Sequence, residues 1–419
     1  MMGAGIPFGA EQRLLPEWLP LSFFGFALLC LPLGWLIGFI QADVLADFSG
    51  GFGPVLAMIH MFTIGVLMTT VLGASLQMLP VATATVMSNP QLVISILVLH
   101  ILGTYVLLGG FAHYFADIAT MGSALIVTSS LIYVYVLVKI LFNTQDMDHI
   151  RRYGSMGAFA LLIVVTLGFS MILQWADVFD LPPLNPACLH AGWAVFGFMG
   201  FLVFAFSRIM IPMLCVSDKT NDKLATSAFI TAIAALTFWS LEAAPLALIM
   251  ATLTTCLHVY EMCGILKGRL MKRLGPEWQL IRFGWVMMPV SLILLLGASL
   301  FESDFPLLQI GVLAAILGWL LSFILGVLQR IIPFLLSMQI ARKTGMPELP
   351  SKLAHEKMLK FISPLHITAV LVMAGGIALN HVWIIRGATL LGIASGLLFI
   401  SFFISALKRK RLSLEKMTP

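Results

Sequence analysis

The sequence predicts an all-α, polytopic membrane protein of about twelve transmembrane helices set in three four-helix arcs with pseudo-threefold symmetry. Three observations predict it: an extreme apolar composition, a series of apolar runs long enough to cross a bilayer, and one sixteen-residue pattern that returns at every fourth run. Of 419 residues, 60% are hydrophobic and 10% charged, and the mean hydropathy is +1.02. Values this far from those of soluble domains exclude a soluble fold.

Crossing a hydrocarbon layer of ~30 Å takes about 20 helical residues. Runs of that length lie near 19–41, 53–80, 91–114, 120–142, 155–175, 186–214, 224–241, 243–266, 281–301, 308–335, 358–379 and 382–407. The first run is preceded by Glu11, Arg13 and Glu17 and is too long for the core of a cleavable signal, so it is expected to stay in the protein.

The connections then alternate in charge. Those after the first, third, fifth, seventh and ninth runs carry Asp43, Asp47, Asp117, Asp177, Asp180, Glu242, Glu302 and Asp304. Those after the even-numbered runs carry Arg151 and Arg152, Lys219 and Lys223, Lys267, Arg269, Lys272 and Arg273, then Arg342, Lys343, Lys352 and Lys357, and the tail adds Lys408 to Arg411. Of the 24 Lys and Arg residues, all but Arg386 fall on one side. By the positive-inside rule that side is cytoplasmic, as are both termini, and the expected location is the bacterial inner membrane. The net charge of +5 follows from this topology and points to the lipid bilayer as partner, not to nucleic acid. The five cysteines, Cys30, Cys188, Cys215, Cys256 and Cys263, have no CxxC spacing and imply neither a zinc site nor a disulfide framework.

The repeated pattern reads GVLMTTVLGASLQMLP from Gly65, GFMGFLVFAFSRIMIP from Gly197 and GWLLSFILGVLQRIIP from Gly318. It falls on the second, sixth and tenth runs. A small residue recurs at its ninth place (Gly73, Ala205, Gly326), where helices can approach closely, and the closing prolines, Pro80, Pro212 and Pro333, are expected to end each helix. The chain therefore reads as one membrane domain, 1–419, of three four-helix units near 19–142, 155–266 and 281–407.

Nine histidines are present. His149 and His355 fall in basic loops. His60, His100, His113, His190, His258, His366 and His381 fall within or at the ends of the runs, where an ionisable group is costly and a site candidate by default. Imidazole also ligates haem iron and copper. His60 and His190 lie towards the outer ends of the second and sixth runs, yet in the repeat frame His60 matches Gly192 and His190 matches Met58. That two-residue offset turns a side chain by ~200° on a helix, so a shared ligand does not follow from the repeat. His258 and Glu261 share one flank of the eighth run, fit for a proton or ion relay or for a mutually satisfied polar pair. His100 and His366 occupy comparable depths in the third and eleventh runs and read as packing residues or ligands; His113 borders water. His381 and Arg386, at the outer end of the last run, leave one cation that needs either an anionic partner or a route to the surface. The 24 methionines are scattered and read as apolar packing.

Twelve runs in three arcs, termini inside, and the segment HMFTIGVLMTTVLGASLQMLP from His60 together resemble the haem-copper oxidase catalytic subunit superfamily. The resemblance implies His60 as a haem ligand, His190 on the helix that carries a copper ligand and Arg386 as a holder of haem propionates; a haem there would need a second axial ligand, for which His366 and His381, on the arc expected to close against the first two runs, are the candidates. The chain departs from that family in its seventh run, which has no His-His pair, in its tenth, which has no histidine, and at Ala194, where a ligand-linked Tyr would stand. Terminal oxidase activity is therefore not expected, and the likeness is closer to a non-oxidase, NnrS-like branch. The expected function is that of a haem- or copper-binding membrane protein in electron transfer, metal handling or respiratory or nitrosative stress, with a redox partner or respiratory complex. The alternative is a secondary transporter working through buried His and Glu.

Overall fold

A computed structural model of the chain describes residues 13–85, 89–144, 147–181, 185–271 and 273–417. Glu11 and Lys272, named above for the N-terminal segment and a basic loop, lie outside the described residues. Among the described residues the structure is helical without strands, and twelve helices are long and apolar enough to cross a membrane: α1 (Trp18–Ile40), α2 (Pro54–Ala82), α3 (Pro90–Ala112), α4 (Ala116–Phe142), α5 (Asp148–Trp175), α6 (Pro186–Cys215), α7 (Asp222–Ser240), α8 (Ala244–Lys267), α9 (Glu277–Leu300), α10 (Leu307–Thr344), α11 (Glu356–Ala378) and α12 (Val382–Met417).

Local chemistry sets many of the ends. Pro54, Pro90 and Pro186 stand in the first turns of α2, α3 and α6, where the missing N–H has no helical acceptor to lose. Asn89, Asn185 and Asn221 cap α3, α6 and α7 by accepting from the N–H groups of Gln91, Cys188, and Lys223 with Leu224. Gly345, at φ 74°, closes α10 in the left-handed conformation.

The helices close a ring in which each unit repeats one packing scheme. Consecutive units meet where α4 packs on α5, α8 on α9 and α12 on α1, while α2 and α6 each touch α10 at the centre. Burial follows this plan: 94% of the most apolar stretch of α10 is buried and 72% of those of α2 and α6, against 28% for α9. The arcs are thus lipid-facing staves around three inner helices.

The inner helices share an irregularity. Each carries an eight-residue π-helical segment, Met61–Met68 in α2, Trp193–Gly200 in α6 and Ala314–Leu321 in α10. Each segment begins four residues before the first glycine of the sequence repeat, so the repeat in sequence has a counterpart in backbone conformation. The expectation that proline ends each inner helix holds only loosely. The helix runs two residues past Pro80 and three past Pro212, and continues from Pro333 through Thr344. Proline removes a single donor, and a helix packed on all sides tolerates that loss.

At the basic end the ring is fastened across its seam. Lys410 of α12, 8% exposed, donates to Glu17 at 2.8 Å and to the side-chain carbonyl of Gln339 at 2.6 Å, and Lys343 approaches Glu17 at 3.2 Å. Burial acts to raise the Glu17 carboxyl, but the hydrogen bonds and charges of Lys410 and Lys343 outweigh it and hold the group below its ordinary value near 4.5. A carboxyl depressed on folding stabilises the fold above its unfolded value and loses that contribution as pH falls through the folded one. Thermal unfolding in detergent should therefore show a loss of stability below about pH 4.5 that is smaller in Glu17→Ala, and this variant should cost about 1–3 kcal/mol at neutral pH by leaving a buried ammonium short of a partner.

Candidate functional site

His60 ends the α-helical first two turns of α2, immediately before the π segment. His190 lies at the corresponding end of α6, near the start of its own π segment. Both are half-buried, and their rings meet: the centroids are 6.3 Å apart with planes inclined by 28°. The repeat frame does not foretell this contact, because neighbouring units in a pseudo-threefold ring meet through non-equivalent surfaces. An offset of two residues is no obstacle when one helix presents its face towards the previous unit and the other towards the next.

The backbone fixes the state of both rings. His60 Nδ1 lies 3.0 Å from the Leu56 carbonyl, and His190 Nδ1 lies 3.0 Å from the Val164 carbonyl of α5. A carbonyl only accepts, so each Nδ1 carries the proton and each Nε2 keeps its lone pair. This is the arrangement in which a second bond orients an imidazole for a metal. Around it, His60 packs edge-on against Phe111 at 5.3 Å, and Phe52 stacks on Trp175 at 4.0 Å with Phe111 alongside. Gly168 admits His190: a methyl group there would lie 3.0 Å from the ring.

The other predicted ligands are placed elsewhere. His366 is fully buried in α11; its Nε2 donates to the Ser322 hydroxyl at 3.0 Å and approaches the Leu317 carbonyl at 3.3 Å, while its ring faces Trp35. His381 is exposed in the turn before α12, where its carbonyl accepts from Ile384 and Ile385. Arg386 lies with its guanidinium carbon 4.9 Å from the Trp383 ring and 5.6 Å from Phe39, and no carboxylate among the described residues pairs with it. The structure therefore brings together His60 and His190, and joins neither to His366, His381 or Arg386. Among the described residues no group of three or more His, Cys, Asp and Glu side chains could hold a metal ion, so the two imidazoles have no third donor of these types beside them.

The donor chemistry of the pair suits a bare metal ion and does not suit a porphyrin. The free lone pairs suit a metal, but the rings pack directly on Phe111 and on the backbone of Gly168. Two cavities, of about 40 and about 10 Å³, lie in the basic half and touch neither histidine.

His100 repeats the environment of His366. Thr69, just after the first π segment, donates to the Ile64 carbonyl and accepts from His100 Nε2 at 2.8 Å. Ser322 occupies the same repeat position, donates to the Leu317 carbonyl and accepts from His366. In both rings Nδ1 is buried without a protein partner. Phe201 stands at this position in the second unit, where the hydroxyl bridge is missing.

At the basic end, Glu261 has a partner that its neighbours in sequence do not indicate. Arg208, the twelfth residue of the second repeat, reaches Glu261 at 3.3 Å and Asp222 at 2.6 Å, and Asn221 N–H donates to Glu261 at 3.1 Å. His149, in a basic loop, meets Asp222 at 3.3 Å. His258 packs on Phe204 at 4.6 Å, with Nε2 buried and unpartnered. A cation at Glu261 would therefore compete with Arg208. His355 has a buried, unpartnered Nδ1, and His113 is exposed as expected.

Removing one member of a buried hydroxyl–imidazole pair leaves the other unsatisfied. Thr69→Val should cost about 1–3 kcal/mol in thermal unfolding, and the double variant Thr69→Val/His100→Leu should cost clearly less than the sum of its single changes. Comparison with protein-family models gave no match, and comparison with curated proteins gave none.

Proposed function

We propose that the protein holds one copper ion between His60 and His190 and works in metal handling or one-electron transfer in a bacterial inner membrane. The observation that carries this reading is the pair of anchored imidazoles, each with Nδ1–H on a backbone carbonyl and Nε2 free, at a ring separation of 6.3 Å. Imidazole suits copper, zinc, iron and nickel. A donor set limited to two neutral nitrogens favours Cu(I), which accepts so low a coordination number.

Each residue has a definable part. Leu56 and Val164 hold the rings in one tautomer through their carbonyls. Phe52, Phe111 and Trp175 border the pair with apolar rings that limit water. Bound copper would supply a one-electron couple or be passed on as cargo. The positive-inside rule places the basic end in the cytoplasm and opens the histidine pair to the outer side. The ring of three four-helix arcs supports kinship with the haem-copper oxidase superfamily, and the departures in the seventh and tenth spans argue for a non-oxidase member.

Metal analysis after anaerobic loading with Cu(I) and desalting tests the proposal. The wild-type chain should retain about one copper; His60→Ala and His190→Ala should each bind more than tenfold more weakly, since even the partners of metal ligands are worth 10–100-fold. Gly168→Ala, which crowds His190, should weaken binding less. Equal retention by wild type and both histidine variants contradicts the proposal. Metal-free protein that accumulates a solute in vesicles would instead favour the transporter reading.

A further inference from the structure

Arg386 stands apart from every other cation among the described residues, at the end of the bundle opposite the basic loops. It lies in the second turn of α12, about 6 Å below the helix start at Val382. An arginine at such depth is costly unless it reaches the surface or finds an anion. The side chain is only partly exposed, and its Nε is buried without an acceptor. No hydrogen bond or ion pair to its guanidinium is formed by a described residue.

Its setting is otherwise built. The guanidinium carbon lies 4.9 Å from the Trp383 ring centre and 5.6 Å from that of Phe39, contacts that draw on its charge and leave its N–H donors without an acceptor among the described residues. The surrounding surface is apolar and outward-facing: Trp383, Leu379, Ile40 and Leu390 are all more than half exposed. An exposed Trp beside a helix end marks the headgroup level of a bilayer. A planar donor fork held at that level matches an oxyanion presented by the membrane itself.

We infer that Arg386, with Trp383 and Phe39, binds the phosphate of an anionic phospholipid in the leaflet at this end, at the seam between α12 and α1. A haem propionate would offer the same oxyanion chemistry, so the test uses haem-free protein. Purified protein in nanodiscs is irradiated with a diazirine-bearing phosphatidylglycerol, and the crosslinks are mapped by peptide; crosslinks at the basic end serve as internal control. The wild type should label near Phe39 and Trp383, and Arg386→Gln should lower that yield about fivefold, the factor expected for one interfacial cation, while the basic-end yield persists. If Arg386→Gln loses both, marking a folding defect, Arg386→Lys is compared: an ammonium without the planar fork should label less than wild type. Unchanged labelling in the variant that folds overturns the inference, as does equal labelling by a phosphatidylcholine probe. So does a wild type that labels only at the basic end.

Discussion

The packing of α2 and of α6 on α10, through backbone that departs from the α-helix, is the constraint on which the remaining structure depends. Inside hydrocarbon every N–H and C=O must be paired by the chain itself, and a π segment rearranges that pairing in the middle of each inner helix. The hydroxyls of Thr69 and Ser322 answer it in two of the three units by donating to the carbonyl five residues back. Each hydroxyl then has an acceptor lone pair to spare, and His100 and His366 occupy it. Two histidines that suggest chemistry from sequence are thereby explained as structural members of the core.

The same ring shows how a repeated scaffold yields a single site. His60 has Gly192 and Leu313 at its repeat positions, and His190 has Met58 and Gly311. At Gly192 the indole of Trp239 lies so close that a methyl group would collide with it, so the second unit fills with an aromatic ring the place that the first gives to imidazole. Only the junction of the first and second units therefore pairs histidines, and the proposed copper site follows from divergence within a repeated frame. Its polarity is compatible with its depth because both Nδ1 protons are already bonded to the backbone.

Much of the architecture was legible in the sequence. Apolar length and the sixteen-residue pattern identify twelve helices in three units of four, because these follow from composition and period alone; that the pattern-bearing helices are the inner ones is seen only in their burial. The π segments were not legible, because no residue signature specifies them. The His60–His190 contact was hidden for a related reason, since a repeat frame compares equivalent positions and the contact joins non-equivalent ones. The role of Arg208 is not legible in its local sequence, because its partners, Asp222 and Glu261, come from two later helices. Pro333 misled because a local rule about helix ends yields to packing that surrounds the helix.

The central claim, that two imidazoles from neighbouring units share one metal ion, is tested most directly by X-ray absorption spectroscopy of the copper-loaded protein. Two nitrogen scatterers at about 2 Å, with the outer-shell pattern of imidazole rings, are predicted. A first shell containing sulfur, or one lacking imidazole scattering, would contradict the account.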